Sequence, residues 1–164
     1  SENGYADLAY KLAASEIFPS WGWWIKNGAT TLYENWPIDA ASDISMNHIM
    51  FGEIGAWMYK ALGGIKPDAS APGFKNTLLQ PYFVEGLNAF STSHQSPYGN
   101  IESNWKRDGK KISYTVIIPP NATATVKLGI GNKQDLYLNG QKQSFTGNIY
   151  TQSIPAGTFL FELK

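Results

Sequence analysis

IESNWKRDGKKISYTVII, residues 101–118, decides the fold of the larger part of the chain. Apolar and polar residues alternate on both sides of Asp108-Gly109, so each half places its apolar side chains on one face of an extended strand. The Asp-Gly pair between them reads as a hairpin turn. The pattern continues outward. Short runs of the same kind occupy Leu87 to Thr92, Ala124 to Leu128, Leu136 to Leu138 and Phe159 to Leu163, and Asn139-Gly140 is a second hairpin signal. Short strands at regular spacing predict an antiparallel β-sandwich of roughly 90 residues, large enough to hold its own core.

Upstream the character changes. IKPDASAPGFKNTLLQP carries three prolines and a Pro-Gly pair, which places a linker at 66–72 and the sandwich at 73–164. Residues 1–65 read as helical. Tyr5, Leu8, Ala9, Leu12 and Ala13 fall at helical spacing, and a second helix is expected from Ser45 to Leu62, with Met46, Met50, Trp57, Met58, Ala61 and Leu62 on its apolar stripe and Gly63-Gly64 ending it. On its other face Gly52 and Gly55 follow His48, a pattern that marks close approach by another element or a ligand. Thr31-Leu32-Tyr33-Glu34 fits a capping box.

Of six tryptophans, five lie between Trp21 and Trp57. Trp57 shares the helical stripe and reads as packing, whereas Trp21, Trp23 and Trp24 are too close in sequence all to face one way. Two helices and a tryptophan-rich loop are too small to bury five such side chains, each carrying about 150–250 Å². Residues 1–65 are therefore expected to be the last piece of a larger helical domain, with the missing N-terminal part of the parent chain as their partner. The absence of an initiator methionine fits that expectation.

Thirteen basic and thirteen acidic residues cancel, so no electrostatic footprint points to nucleic acid or to an anionic membrane. With no cysteine and two histidines, scattered carboxylates suggest no metal, and nothing suggests a cofactor. A neutral partner, flat aromatic faces and one well-placed carboxylate point to carbohydrate, whose C–H faces stack on indole rings. Glu34 is the candidate for the chemistry. Asp39, Asp43 and Glu53 read as structural, Asp43 as a helix cap.

FPSWGWWIKNGATTLYENW, SMNHIMFGEIGAWMYKALGGI, PGFKNTLLQP and SPYGNIESNW together resemble the C-terminal part of the bacterial α-L-rhamnosidases of glycoside hydrolase family 78. The resemblance runs from residue 1 to about Trp105. It implies an α+β chain: the closing helices of an (α/α)6 toroid followed by the sandwich. It also implies inverting hydrolysis of terminal α-L-rhamnose from a rhamnose-containing glycoside or oligosaccharide. By the same resemblance Glu34 matches the general base, and His48 lies in the substrate pocket. Trp21, Trp36 and Asn47 match substrate-binding positions, and the general acid lies upstream of this chain, which by itself is expected to be inactive. Other readings are a carbohydrate-binding or purely structural sandwich module, or another (α/α) toroid glycosidase such as an unsaturated-uronide hydrolase. That charged substrate calls for more basic residues than Lys26 alone.

Overall fold

The computed structural model describes residues 1–39, 45–131 and 134–164. Asp43 and most of the connection after Asp39 lie outside the described residues. The chain divides into two compact units, Ser1–Met58 and Tyr59–Lys164.

In the first unit, α1 spans Ala6–Ala13 and α2 spans Trp21–Lys26. Helix α2 forms from the aromatic run because its two ends are chemically prepared. Ser20 Oγ accepts the Trp23 N–H at 2.9 Å, an N-cap. At the other end the Ala29 and Gly28 amides reach back to the carbonyls of Trp24 and Ile25, a Schellman closure. Gly22 is required between α1 and α2, since a Cβ there would lie 2.5 Å from the Ser15 carbonyl oxygen.

The second helix is shorter than its periodicity suggests. Helix α3 covers only Glu53–Trp57, continued by a π-helical turn over Met58–Leu62. Residues 45–48 are drawn instead into backbone bonding with 32–34, and His48 Nδ1 takes the Met50 N–H at 3.0 Å. Tertiary pairing overrides the apolar stripe, and Met46 and Met50 are exposed. His48 is therefore not on a glycine-lined helix face. Likewise Thr31–Glu34 is not a helix start, so no capping box forms there.

The second unit is a two-sheet sandwich. Strands β1 (Ile65–Pro67), β2 (Asn76–Leu79), β6 (Thr123–Gly129) and β9 (Ile149–Ile154) form one sheet in the order β1-β2-β6-β9. Strands β3 (Ala89–Ser96), β4 (Gly99–Asp108), β5 (Lys111–Ile118), β7 (Leu136–Leu138), β8 (Gln141–Lys142) and β10 (Gly157–Leu163) form the other, ordered β3-β4-β5-β10-β7-β8. All pairs are antiparallel except β2 with β6, which run parallel and correct the all-antiparallel expectation. Lys66 and Pro67, expected in the linker, belong to β1 and pair with Leu78 and Thr77.

Alternation does the sorting. On β5, Ile112, Tyr114, Val116 and Ile118 are buried, while Lys111 and Ser113 are exposed. Those four meet Ile101, Trp105, Phe161 and Leu163 of the same sheet and Leu79, Ala124, Val126 and Leu128 of the facing one in a continuous core. Trp105 is 1 % exposed, as a strand core residue should be. Both hairpin signals produce turns. Asn139 and Gly140 link Leu138 to Gln141 with φ of 49° and 80°, the two positive angles of a type I′ turn. The other turn sits one residue beyond expectation, on Gly109-Lys110 between Asp108 and Lys111.

The connection after β1 is held by Asp68, whose carboxylate accepts from Asn76 Nδ2 at 2.8 Å and from the Ser70 amide and hydroxyl at 2.9 and 2.7 Å. The Asn76 bond first, then those from Ser70, hold its pKa below the usual value. A depressed carboxyl contributes stability above its unfolded pKa of about 3.9, and that contribution is lost as pH falls through the lower folded value. In urea titrations the stability gap between wild type and Asp68→Ala should be constant at neutral pH and shrink below about pH 4.

Candidate active site

Two irregular segments carry the polar candidates. The Glu34 N–H donates to the Ser45 carbonyl at 2.9 Å, and the His48 N–H donates to the Leu32 carbonyl at 2.8 Å. Between these bonds one segment advances by two residues and the other by three. The extra residue falls at Met46-Asn47, a bulge-like step of the kind that re-aims side chains. Thr31 Oγ1 donates to the Met46 carbonyl across the same step.

This pairing fixes the carboxylate. Glu34 Oε2 accepts the Ser45 N–H at 3.0 Å while the Glu34 backbone bonds the same residue, so side chain and main chain are tied to one partner. Glu34 is half-buried. Among the described residues nothing bonds Oε1, which leaves that oxygen able to take a proton. His48 is also half-buried, and because Nδ1 accepts from Met50 N, the neutral ring carries its proton on Nε2. That tip can donate to a hydroxyl. Asn47 is exposed, its backbone N–H held by Ser45 Oγ at 3.2 Å.

The tryptophans come together around Trp24, which is 2 % exposed. Its Nε1 donates to the Trp36 carbonyl at 2.8 Å, and its ring lies 4.6 Å from Trp36, 5.4 Å from Phe51 and 5.6 Å from Tyr33. Trp21 meets Trp36 edge-on at 5.2 Å and donates its Nε1 proton to the Phe51 carbonyl at 3.3 Å. Trp21 and Trp36 are thus neighbours, each half-buried, with Tyr33 and Trp36 flanking Glu34 along the chain. Trp57 is half-buried and its Nε1 reaches Ser1 Oγ at 2.9 Å.

Sequence reasoning missed Ser45 and Phe51. Phe51 could have been found from its place beside His48 in NHIMFG; Ser45 acts through its main chain and left no signal. Among the described residues, no group of three or more metal-binding side chains occurs. The arrangement offers one aimed carboxylate, one imidazole N–H and indole faces. That set suits proton transfer beside a neutral, hydroxyl-bearing ring.

The surroundings of this site are open. Of fourteen exposed large apolar side chains among the described residues, ten belong to Ser1–Met58. Leu12, Trp21, Met50, Phe51, Ile54 and Trp57 line an apolar groove of about 440 Å³ within this unit.

Comparison with known proteins gives a consistent result. The family described as bacterial alpha-L-rhamnosidase 6 hairpin glycosidase domain matches residues 1–62, and the bacterial alpha-L-rhamnosidase C-terminal domain matches residues 64–143. An alpha-L-rhamnosidase of Formosa agariphila is 33% identical over 147 residues, covering 85% of this chain and 16% of its own length. One from Alteromonas sp. is 33% identical over 130 residues, covering 75% of this chain and 14% of its own length. The structure of alpha-L-rhamnosidase from Dictyoglumus thermophilum superposes with a TM-score of 0.89 at 24% identity, over 99% of this chain and 19% of that one. The Streptomyces avermitilis enzyme, crystallised with L-rhamnose, gives 0.84 at 25% identity over 99% of this chain and 16% of that one. The chain spans 13% to 16% of the length of the curated relatives it matches.

Proposed function

The chain belongs to the bacterial α-L-rhamnosidase family, and from that premise we propose that it is the C-terminal portion of an enzyme that removes terminal α-L-rhamnose with inversion. Residues 1–62 would contribute closing helices of an (α/α)6 toroid, and the strands from β1 (Ile65–Pro67) onward a supporting sandwich. The observation that carries the reading is the Glu34 carboxylate, held at one oxygen by the Ser45 amide and, among the described residues, without a bond at the other.

In this reading Glu34, ionised, takes a proton from water on the face of the sugar opposite the leaving group. An oxocarbenium-like transition state forms as the water attacks, and a general acid from outside this chain protonates the departing oxygen. Room for a water requires about 6.5–9.5 Å between the two carboxyls. His48 Nε2 and the Asn47 amide bond sugar hydroxyls, while Trp21 and Trp36 supply apolar walls.

The exposed apolar side chains fit the same picture, because the remainder of a toroid would cover them. The 164-residue chain alone should show no rhamnosidase activity and should self-associate in sedimentation as concentration rises. Leu12→Asp with Met50→Asp should return it toward monomer. A monomeric wild-type chain at high concentration would contradict this.

The reaction itself is tested by proton NMR of the first sugar released by the parent enzyme. β-L-rhamnose appearing first supports inversion. α-L-rhamnose appearing first removes the general-base role from Glu34.

A further inference from the structure

The one-residue step between the two bonded segments leaves a peptide unit outside the backbone pairing. The Glu34 N–H meets the Ser45 carbonyl on one side of it, and the His48 N–H meets the Leu32 carbonyl on the other. Among the described residues, neither the Met46 carbonyl nor the Asn47 N–H enters a backbone–backbone bond. Those two groups belong to one planar unit, so they point in opposite directions and turn together. Side-chain hydroxyls hold both. Thr31 Oγ1 donates to the Met46 carbonyl. Ser45 Oγ accepts the Asn47 N–H at 3.2 Å and donates its own proton to the Asn47 carbonyl at 3.1 Å.

The two hydroxyls arrive by different routes. Ser45 reaches the amide two residues on, a local bond that serine favours outside helices. Thr31 reaches across fifteen positions, from the segment that carries Glu34. Thr31, Met46 and Asn47 are exposed, so each bond competes with water and is modest by itself. A rotation of the peptide plane nonetheless breaks the bonds at both of its ends. The same rotation changes ψ of Met46 and φ of Asn47, the angles that aim the Asn47 side chain. Among the described residues no bond holds the Asn47 carboxamide, so the main chain that carries it decides which way it projects. Glu34 is tied separately, because its Oε2 and its N–H bond the main chain of Ser45 and not the hydroxyl.

We propose that Thr31 and Ser45 are positioning residues whose hydroxyls, by holding the Met46–Asn47 peptide at both ends, fix the direction in which Asn47 meets a sugar hydroxyl. This rests on the substrate-binding role proposed above for Asn47. The hydroxyls act through the peptide, and the Glu34 carboxylate keeps its own anchor when either is removed.

The first arm of the test reads the main chain alone and uses this chain, kept dilute. Thr31→Val preserves the branched shape and removes the donor, and exchange at the Asn47 amide should accelerate about three- to tenfold. The Glu34 and His48 amides, bonded to backbone carbonyls, should keep their rates. Thr31→Ser, which retains a hydroxyl, should restore slow exchange at Asn47. Unchanged exchange at Asn47 in Thr31→Val, or equal acceleration at all three amides, overturns the proposal.

The second arm uses the parent enzyme and an aryl α-L-rhamnoside. Thr31→Val should raise KM about three- to tenfold and change kcat by less than about twofold, the mark of lost binding with the chemistry retained. Ser45→Ala should act in the same direction, and Thr31→Ser should restore KM. In an Asn47→Ala background Thr31→Val should have no further effect on KM, since the group it aims is gone. A lower melting temperature with unchanged KM, or a KM increase of the same size in the Asn47→Ala background, overturns the positioning role. A parent enzyme without rhamnosidase activity would sink the functional reading and leave exchange at Asn47 to decide whether the hydroxyls hold the peptide.

Discussion

Glu34→Gln in the parent enzyme should lower kcat on an aryl α-L-rhamnoside by about 10²- to 10⁴-fold, the usual range for a lost general base, with KM nearly unchanged. Glutamine is close to isosteric, and its carbonyl oxygen can still accept the Ser45 N–H that Glu34 Oε2 accepts at 3.0 Å. The backbone bond from Glu34 N to Ser45 O does not depend on the side chain at all. The substitution therefore removes proton acceptance and little else. Near-normal turnover in a correctly folded variant would reduce Glu34 to a strut between residues 34 and 45.

Trp24→Ala should be the most damaging single change around the site. Removing a fully buried tryptophan typically costs about 3–5 kcal/mol, a transfer loss plus a cavity. Here it also strips the donor from the Trp36 carbonyl, and the three rings within 6 Å lose their common neighbour. Thermal unfolding of the parent enzyme should shift down by several degrees, and any folded fraction should bind rhamnoside poorly because Trp36 is no longer held. Trp24→Phe should recover part of the packing and none of the Nε1 hydrogen bond. If Trp24→Ala melted like wild type, the ring cluster would be incidental.

The sandwich was legible because its strands obey a period of two. β4, β5, β6, β7 and β10 all stand where alternation put them, and β5 shows the cleanest register, with Ile112, Tyr114, Val116 and Ile118 inward. The strands that escaped notice lack that signal. β1 is three residues ending in a proline, β8 is two residues, β9 reads IYTQSI with a glutamine between Tyr150 and Ile154 on its inward face, and β2 reads NTLL and pairs in parallel with β6 across a long separation. No local pattern encodes such a pairing.

The helical part was read less well, for a related reason. The apolar stripe from Met46 to Leu62 is real, yet Leu32 and Glu34 take the backbone of 45–48 for themselves, so helix starts only at Glu53. A residue's neighbours along the chain cannot announce a partner eleven or sixteen positions away. Trp21 to Lys26 show the converse. Their helix follows from the Ser20 N-cap and the closure at Asn27-Gly28, both local features of the sequence. The candidate site, in contrast, was legible as a combination of unlike residues. Glu34, Asn47 and His48 lie on the two bonded segments, and Trp21 and Trp36 share one ring cluster.

The most direct test of the central claim is nucleophile rescue of Glu34→Ala in the parent enzyme. Azide needs no base to attack, so it should bypass a missing general base, restore aryl rhamnoside cleavage in proportion to its concentration, and give β-L-rhamnosyl azide. No rescue, or an α-configured azide, would contradict the assignment of Glu34 as the base of an inverting rhamnosidase.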